Sequence, residues 1–357
     1  MERTNSLHIQ PDLQFIDFVR KTSGSDLSTC MQCGSCTAVC ELSPEVEPYP
    51  RKEMIWAAWG LKDQLMTDPD IWLCYNCGDC TSTCPRDVKP GDVLAAIRQA
   101  TWMHFSRPRF LSKWLSSPKY LPLLLLLPAL IIAGIIALAG TLSIPEGPVN
   151  YSAFFPHAWL NGSFSVFVLI LFITNWIGIR KFSKNLNHFT NRNKSGFWSG
   201  LKEIILHNRF RKCEVNKSRN IAHMLVFGGF VMLLIVTLFA ILSVVLKQYP
   251  LHFWHPIKIL GNLAGLGMMA GLALMAMNRL KASNPEQSGH FTDWFFLISM
   301  FLLALSGMLV EVARFGNWQI AYHLYFIHLV LVWQIVFYLP FSKFGHMIYR
   351  TIAILKS

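Results

Sequence analysis

Two runs near the N-terminus, Cys30-Met31-Gln32-Cys33-Gly34-Ser35-Cys36-Thr37-Ala38-Val39-Cys40 and Cys74-Tyr75-Asn76-Cys77-Gly78-Asp79-Cys80-Thr81-Ser82-Thr83-Cys84-Pro85, set the reading of this chain. Each is spaced C-x2-C-x2-C-x3-C, a pattern that wraps three thiolates round one [4Fe-4S] cluster and aims the fourth cysteine at the neighbouring cluster. That rule assigns Cys30, Cys33, Cys36 and Cys84 to a first cluster, and Cys74, Cys77, Cys80 and Cys40 to a second. Gly34 and Gly78 recur at the same place in each run, where a Cβ would crowd a cluster. Zinc would take its thiolates as two more widely separated C-x2-C pairs. Disulfides would require an exported domain, and the polar stretch from Met1 to Gln10 lacks the apolar core of a secretory leader. The second run ends Cys84-Pro85, whereas the first ends Cys40-Glu41 with Pro44 displaced. The surroundings of Cys40 are therefore expected to differ from those of Cys84.

Eight of the nine cysteines lie in these runs, and Cys213 is left without a role. The whole chain, 357 residues with 53% hydrophobic and 15% charged residues, is too apolar for one soluble domain. Its apolar residues gather into six segments long enough for a hydrocarbon core that needs about 20 residues. They run over 121–142, 157–179, 221–246, 257–278, 291–310 and 319–340. The net charge of +12 admits a nucleic-acid partner, but its distribution argues for membrane topology instead. Arg180, Lys181, Lys184, Arg192, Lys194, Lys202, Arg209, Arg211, Lys212, Lys217 and Arg219 follow the second segment. Arg279 and Lys281 follow the fourth, and Lys343, Arg350 and Lys356 the sixth. The other connections carry little beyond Lys247 and Arg314. Basic residues stay inside, so both termini and the cysteine runs are expected in the cytoplasm, on an inner membrane crossed six times.

The remaining segments read as helices that serve the clusters. Leu13, Phe15, Ile16 and Val19 share a face of a short helix. Residues 52–66 form an apolar helical stretch ended near Gly60 or Asp63, with Trp56 and Trp59 expected in a core. Residues 93–105 form another. A basic and aromatic stretch then suits a membrane headgroup layer. The expectation is an all-α chain: a small α-helical dicluster ferredoxin-like domain (1–105), an interfacial linker (106–120), a polytopic six-helix transmembrane bundle (121–346) and a cytoplasmic tail (347–357).

Histidines inside such a bundle are candidate ligands. A haem b needs two axial ligands and room for a flat ring. His223 starts the third segment on the inner side, with Gly228 and Gly229 opening space beside it, and His346 follows the sixth at the same depth; they are paired as one haem site. His328 lies 18 positions before His346, or about 27 Å if that stretch is wholly helical. That puts His328 near the outer face, level with His255, as a second candidate pair. His157, His252 and His323 read as headgroup-layer residues.

The stretch Ile327-His328-Leu329-Val330-Leu331, with Leu339-Pro340-Phe341-Ser342-Lys343-Phe344-Gly345-His346, resembles the last span of the gamma subunits of respiratory nitrate reductases. There, two haem-b ligands flank a P-F-S-K/R-x-x-H ending, and His223 matches a first ligand on the second span. That family's other ligand would fall near Leu233, which cannot ligate. The N-terminal part resembles the two-cluster subunit of heterodisulfide reductases. The fusion of both parts is similar to the membrane subunits of quinone-interacting membrane-bound oxidoreductase (Qmo) complexes. This resemblance implies electron exchange between menaquinone and cytoplasmic flavin/iron-sulfur partner subunits, through them adenylylsulfate reductase, in dissimilatory sulfur metabolism. The alternatives are a heterodisulfide-reductase-like or sulfite-reduction membrane complex, and a haem-free membrane anchor for a ferredoxin domain. No G-x-G-x-x-G follows a strand, so flavin chemistry is assigned to another subunit, and no nucleic acid is expected.

Overall fold

The computed structural model describes residues 10–43, 48–186, 197–207, 217–246, 251–281, 291–342 and 344–356. Cys213, His188, His290, Lys247, Lys343 and the basic residues from Arg192 to Lys194 and from Arg209 to Lys212 fall outside them. The described residues form helices and connections with no strand. Contacts divide the chain into two compact units, Met1–Arg109 with Trp176–Lys217 and Lys343–Ser357, and Phe110–Asn175 with Ser218–Ser342. The unit that holds the cysteines therefore takes two segments that the sequence reading gave to the bundle and tail.

In that first unit, α1 (Leu13–Ser23) starts at Asp12, whose carboxylate accepts from Phe15 N at 2.8 Å, and stops at the left-handed Gly24. It buries Phe15 and Val19 and leaves Leu13 exposed. Single turns α2 (Ser35–Ala38) and α5 (Asp79–Ser82) sit inside the two cysteine runs. Between them come α3 (Arg51–Ala58) and α4 (Lys62–Thr67), separated at Gly60. Trp59 there is 52% exposed, so the expected core role does not hold: it ends α3 on the side away from the buried Met54 and Ala57. Next is α6 (Pro90–Phe105), with Val93, Leu94 and Ile97 buried.

A later segment closes the core. Phe182 packs edge-on to Trp72, Phe105 and Tyr349, while Tyr349 stacks on Trp72 at 5.7 Å. This aromatic nest explains why the C-terminal residues belong here: Tyr349, Ala353 and Ile354 are the buried face of an amphipathic helix. Gly178 carries no side chain because a Cβ there would fall on the Phe105 carbonyl oxygen. Gly178→Val is expected to lower the melting temperature by several degrees, since the obstacle is backbone and cannot rotate away; an unchanged melt would contradict this packing.

The second unit opens with α7 (Arg109–Leu115) and α8 (Leu121–Leu138), the latter carrying Pro122 in its first turn and Pro128 inside. A single turn, α9 (Tyr151–Phe154), precedes α10 (His157–Asn185), whose residues from Trp176 on belong to the first unit. After α11 (Phe197–Leu206, first unit) come α12 (Lys217–Val245), α13 (Pro256–Leu280), α14 (Phe291–Phe315) and α15 (Ala321–Tyr338). Among the described residues six helices are long and apolar enough to cross a membrane: Pro118–Leu138, His157–Asn185, Ser218–Val245, Pro256–Leu280, Phe291–Phe315 and Ala321–Phe341. Ser218–Val245 buries none of its most apolar window and Ala321–Phe341 buries 44%, so the bundle is centred on α15, with α8 and α14 against it. Ile132, Ile136, Tyr322, Leu329 and Trp333 form its core. Polar groups tie the same helices, as suits an apolar solvent: Gln334 Nε2 donates to Ser299 Oγ at 2.8 Å and Tyr338 Oη to the Leu124 carbonyl at 3.0 Å.

The chain is not helical throughout from His328 to His346. α15 stops at Tyr338, a 3-10 turn spans Leu339–Phe341 with Pro340, and α16 (Gly345–Lys356) begins separately. The 18 positions from His328 to His346 therefore do not form one helix, and the length of about 27 Å that a wholly helical stretch would have does not apply.

Candidate iron-sulfur site

The cysteine runs fold as two copies of one turn. Gln32 and Asn76 take φ of 56° and 53°, and Gly34 and Gly78 take 83° and 100°. Alternating hands along such a turn point successive N–H groups inward, which favours anionic centres. The hydrogen bonds repeat as well. Thr37 N and Thr81 N donate to the carbonyls of Gly34 and Gly78, Cys40 N and Cys84 N to those of Thr37 and Thr81, and Ser43 N and Asp87 N to those of Cys40 and Cys84. Donors also reach sulfur: Asn76 N lies 3.1 Å from Cys74 Sγ, and Gln32 Nε2 lies 3.4 Å from Cys30 Sγ. Such bonds raise a cluster's reduction potential by stabilising charge on its thiolates.

Two cavities result, and the cysteines sort between them in a crossed way. One is lined by Cys30, Cys33, Cys36 and Cys84 with Arg51 and Arg86. The other is lined by Cys40, Cys74, Cys77 and Cys80 with Tyr49 and Leu94. Each cavity thus takes three cysteines from one run and the last cysteine of the other. Burial pushes the Cys40 thiol up to about 12, and raises Cys80 and Cys36 as well. At exposed Cys33 the Ser35 hydroxyl beside the sulfur, helped by Arg51, lowers it. Thiols that water cannot ionise become thiolates when a metal binds them. Four soft donors round one cavity, with amide donors aimed at sulfur, fit an iron-sulfur cluster. A bound cluster supplies one-electron chemistry; the chain supplies its ligands, its amide donors and its cover.

The cover differs between the copies. Tyr75 donates its hydroxyl proton to Glu203 Oε1 at 2.6 Å, and the Arg350 guanidinium lies 3.9 Å over its ring. Arg98 Nη1 and Arg350 Nη1 both donate to the Cys74 carbonyl at 3.4 Å. These partners stand far from the cysteines in sequence, and no local pattern marks them.

A second feature also escaped the sequence reading. Lys52, Glu53, Asp68 and Asp70 meet in the core, with Lys52 Nζ 3.3, 3.2 and 3.0 Å from the three carboxylates in that order. Glu53, Asp68 and Asp70 are buried. Burial, with Asp68 beside it, holds the Glu53 carboxyl well above the usual range; burial and Asp70 likewise raise Asp68. The Lys52-Glu53 pair in an otherwise apolar helix, followed by Asp68-Pro69-Asp70, is the signal that was available.

The histidines are placed as follows. His223 is half-buried in the second turn of α12, with Phe227 parallel to its ring at 6.5 Å. Gly228 faces open space, but Gly229 does not: its Cβ would meet Met268 Cβ at 2.8 Å, so it serves the approach of α13. His346 is half-buried at the start of α16. His328 lies in α15 with Nδ1 3.0 Å from Ser306 Oγ, and a Cβ on Gly307 would come within 3.1 Å of its ring. His255 caps α13, its Nδ1 accepting from Ile257 N at 3.3 Å. On α13 the residue that faces Met308 is Gly265, ten positions or about 15 Å of helix from His255, and Met308 is two residues from Ser306. His255 and His328 are therefore not level and do not fit one ring. Lys258 and Glu311 pair with each other at 3.0 Å.

Comparison with known proteins agrees with this site. Residues 26–88 match the 4Fe-4S dicluster domain. The C-type subunit of the H(2):CoB-CoM heterodisulfide,ferredoxin reductase of Methanothermobacter marburgensis is 39% identical over 88 residues, 24% of this chain and 47% of the relative. A protein of Archaeoglobus profundus that is like the same heterodisulfide reductase subunit is 37% identical over 84 residues, 23% of this chain and 45% of the relative. The chain spans about half the length of the curated relatives it matches. In its N-terminal part it is thus an iron-sulfur electron-transfer protein like the C-type subunits of heterodisulfide reductases. Beyond that part, residues 116–357 match the model described as Citrate utilization protein B, and since that is well over half its length, the chain belongs to the Citrate utilization protein B family.

Proposed function

We propose that the chain is the membrane subunit of an oxidoreductase complex and exchanges electrons between menaquinone in the bilayer and cytoplasmic flavin/iron-sulfur partner subunits. The observation that carries this is the combination, in one chain, of two four-cysteine cavities with six membrane-length helices. In this reading Cys30, Cys33, Cys36 and Cys84 hold one cluster and Cys74, Cys77, Cys80 and Cys40 the other. Haem b connects them to the quinone, with His223 and His346 as the residues to test as ligands. The excess of Lys and Arg in alternate connections supports a cytoplasmic cluster unit. The cofactors carry the electrons, and the protein orients and tunes them.

Two identities of the soluble partner are in play. The fused arrangement supports a system ending at adenylylsulfate reductase. The family of the membrane half carries the name of citrate utilization, and this favours a partner in citrate metabolism. Adenylylsulfate, added to anaerobic membranes whose haem has been reduced and whose soluble fraction is restored, separates them: it takes electrons as it is reduced to sulfite and AMP, and it reoxidises the haem only in the first system.

His223→Ala and His346→Ala are each expected to lower haem per chain, read as a pyridine haemochrome, by more than half while leaving cluster iron unchanged. Full haem in both variants removes these residues from the reading. No haem in the unaltered chain reduces the membrane half to an anchor.

A further inference from the structure

The internal repeat of the cysteine runs allows the two copies to be compared position by position, and they differ in what covers them. In the second copy Tyr75 is held under Glu203 and Arg350 of the same chain. Its counterpart in the first copy, Met31, is 58% exposed. Cys33 is exposed where Cys77 is half-buried, and Cys36 is half-buried where Cys80 is buried. Charge differs as well. The first cavity is lined by Arg51 and Arg86 and by no carboxylate, although Asp87 is exposed next to Arg86. The second is lined by Glu41 and Asp79 and by no lysine or arginine. Arg51 and Arg86 are themselves exposed, with Arg51 lying 3.9 Å from where a Gly34 Cβ would be.

A centre bound by four thiolates repels an acidic surface unless cations stand at its mouth. Two exposed arginines supply them in the fork geometry that suits carboxylates. An exposed methionine supplies adaptable apolar contact between them. Electron transfer falls off steeply with distance, so the centre with the thinnest cover is the one a partner can reach.

We propose that the face around Met31 and Cys33, flanked by Arg51 and Arg86, is the docking surface for a redox protein that rings its own one-electron centre with carboxylates. The centre held by Cys30, Cys33, Cys36 and Cys84 is then the exchange centre. This rests on the cluster reading above. One electron crosses per encounter: the reduced cluster loses it, the partner's centre gains it, and no bond or proton moves.

Cytochrome b5, whose haem edge is ringed by carboxylates, serves as the acidic probe, and cytochrome c as the basic one. The dithionite-reduced full chain in nanodiscs is mixed with each oxidised probe, and the second-order rate is followed at the probe's absorbance against ionic strength. Binding of oxidised cytochrome b5 to the resting chain is measured in parallel by calorimetry. Arg51→Glu and Arg86→Glu are each expected to slow cytochrome b5 reduction about fivefold or more at low salt, to weaken its binding and to speed cytochrome c. Asp63→Asn, an exposed carboxylate on α4 that lines neither cavity, is expected to change none of these. Unchanged rates and binding in both arginine variants, or a larger effect from Asp63→Asn, overturn the proposal. Paramagnetic resonance on each sample counts the clusters, so a chain lacking them overturns the cluster reading and is not mistaken for failed docking.

Discussion

Cys84→Ser is expected to remove the cluster built on Cys30, Cys33 and Cys36, although Cys84 ends the other run. Its sulfur lines the cavity of the first run and not that of its own. Non-haem iron per chain should fall by about half, because each centre takes a full set of four cysteines. Cys40→Ser is expected to do the converse and remove the centre on Cys74, Cys77 and Cys80. In the unaltered chain the two reduced clusters, each sharing a cysteine run with the other, are expected to broaden each other's paramagnetic resonance. Either variant should leave one narrow uncoupled signal, and the two signals should differ in relaxation because their cover differs. If Cys84→Ser instead removes the centre of its own run, each run ligates its own cluster and the crossed arrangement is wrong.

Lys52→Met is expected to be the most destabilising single change outside the cysteines, by about 3–5 kcal/mol. It removes the ammonium 3.0 to 3.3 Å from three buried carboxylates and leaves them facing one another. Glu53→Gln is expected to act in the opposite sense, and the effect depends on pH. The folded-state pKa of Glu53 is raised above its ordinary 4.5. The unfolded chain therefore gives up this proton first as the pH rises through that value. From there upward ionisation favours the unfolded chain, and the cost grows until the pH passes the raised folded value. Glu53→Gln escapes that cost, so its advantage in melting temperature should be small near pH 4.5 and largest in the alkaline range. Melts of the cluster-loaded protein followed by cluster absorbance measure this. An equal shift at both ends of the range would show that burial does not raise the Glu53 carboxyl in the folded chain.

Much of the architecture was legible because its signals are local. Each cysteine run fits within eleven residues, and the runs between Leu121 and Pro340 that are long enough to cross a membrane match the six helices of the described residues within a few residues. What was not legible depends on partners far apart in the chain. Tyr75 meets Glu203 and Arg350, and Trp72 meets Phe182 and Tyr349. No periodicity reports such pairs, so the C-terminal helix read as a tail. The spacing of His328 and His346 was not legible for another reason: Pro340 and Gly345 interrupt the stretch between them. Gly229 illustrates the same limit, since a glycine that opens space and one that admits a neighbouring helix look alike in sequence.

The account centres on a path from quinone to clusters through haem, and one measurement addresses it. The chain is purified from membranes, given a menaquinol analogue under anaerobic conditions, and recorded as a reduced-minus-oxidised optical spectrum with haem counted per chain. The account predicts haem b bands that develop on addition of the quinol and are lost in His223→Ala. A chain that carries its cluster iron yet shows no haem, or whose haem the quinol leaves oxidised although dithionite reduces it, would contradict the path.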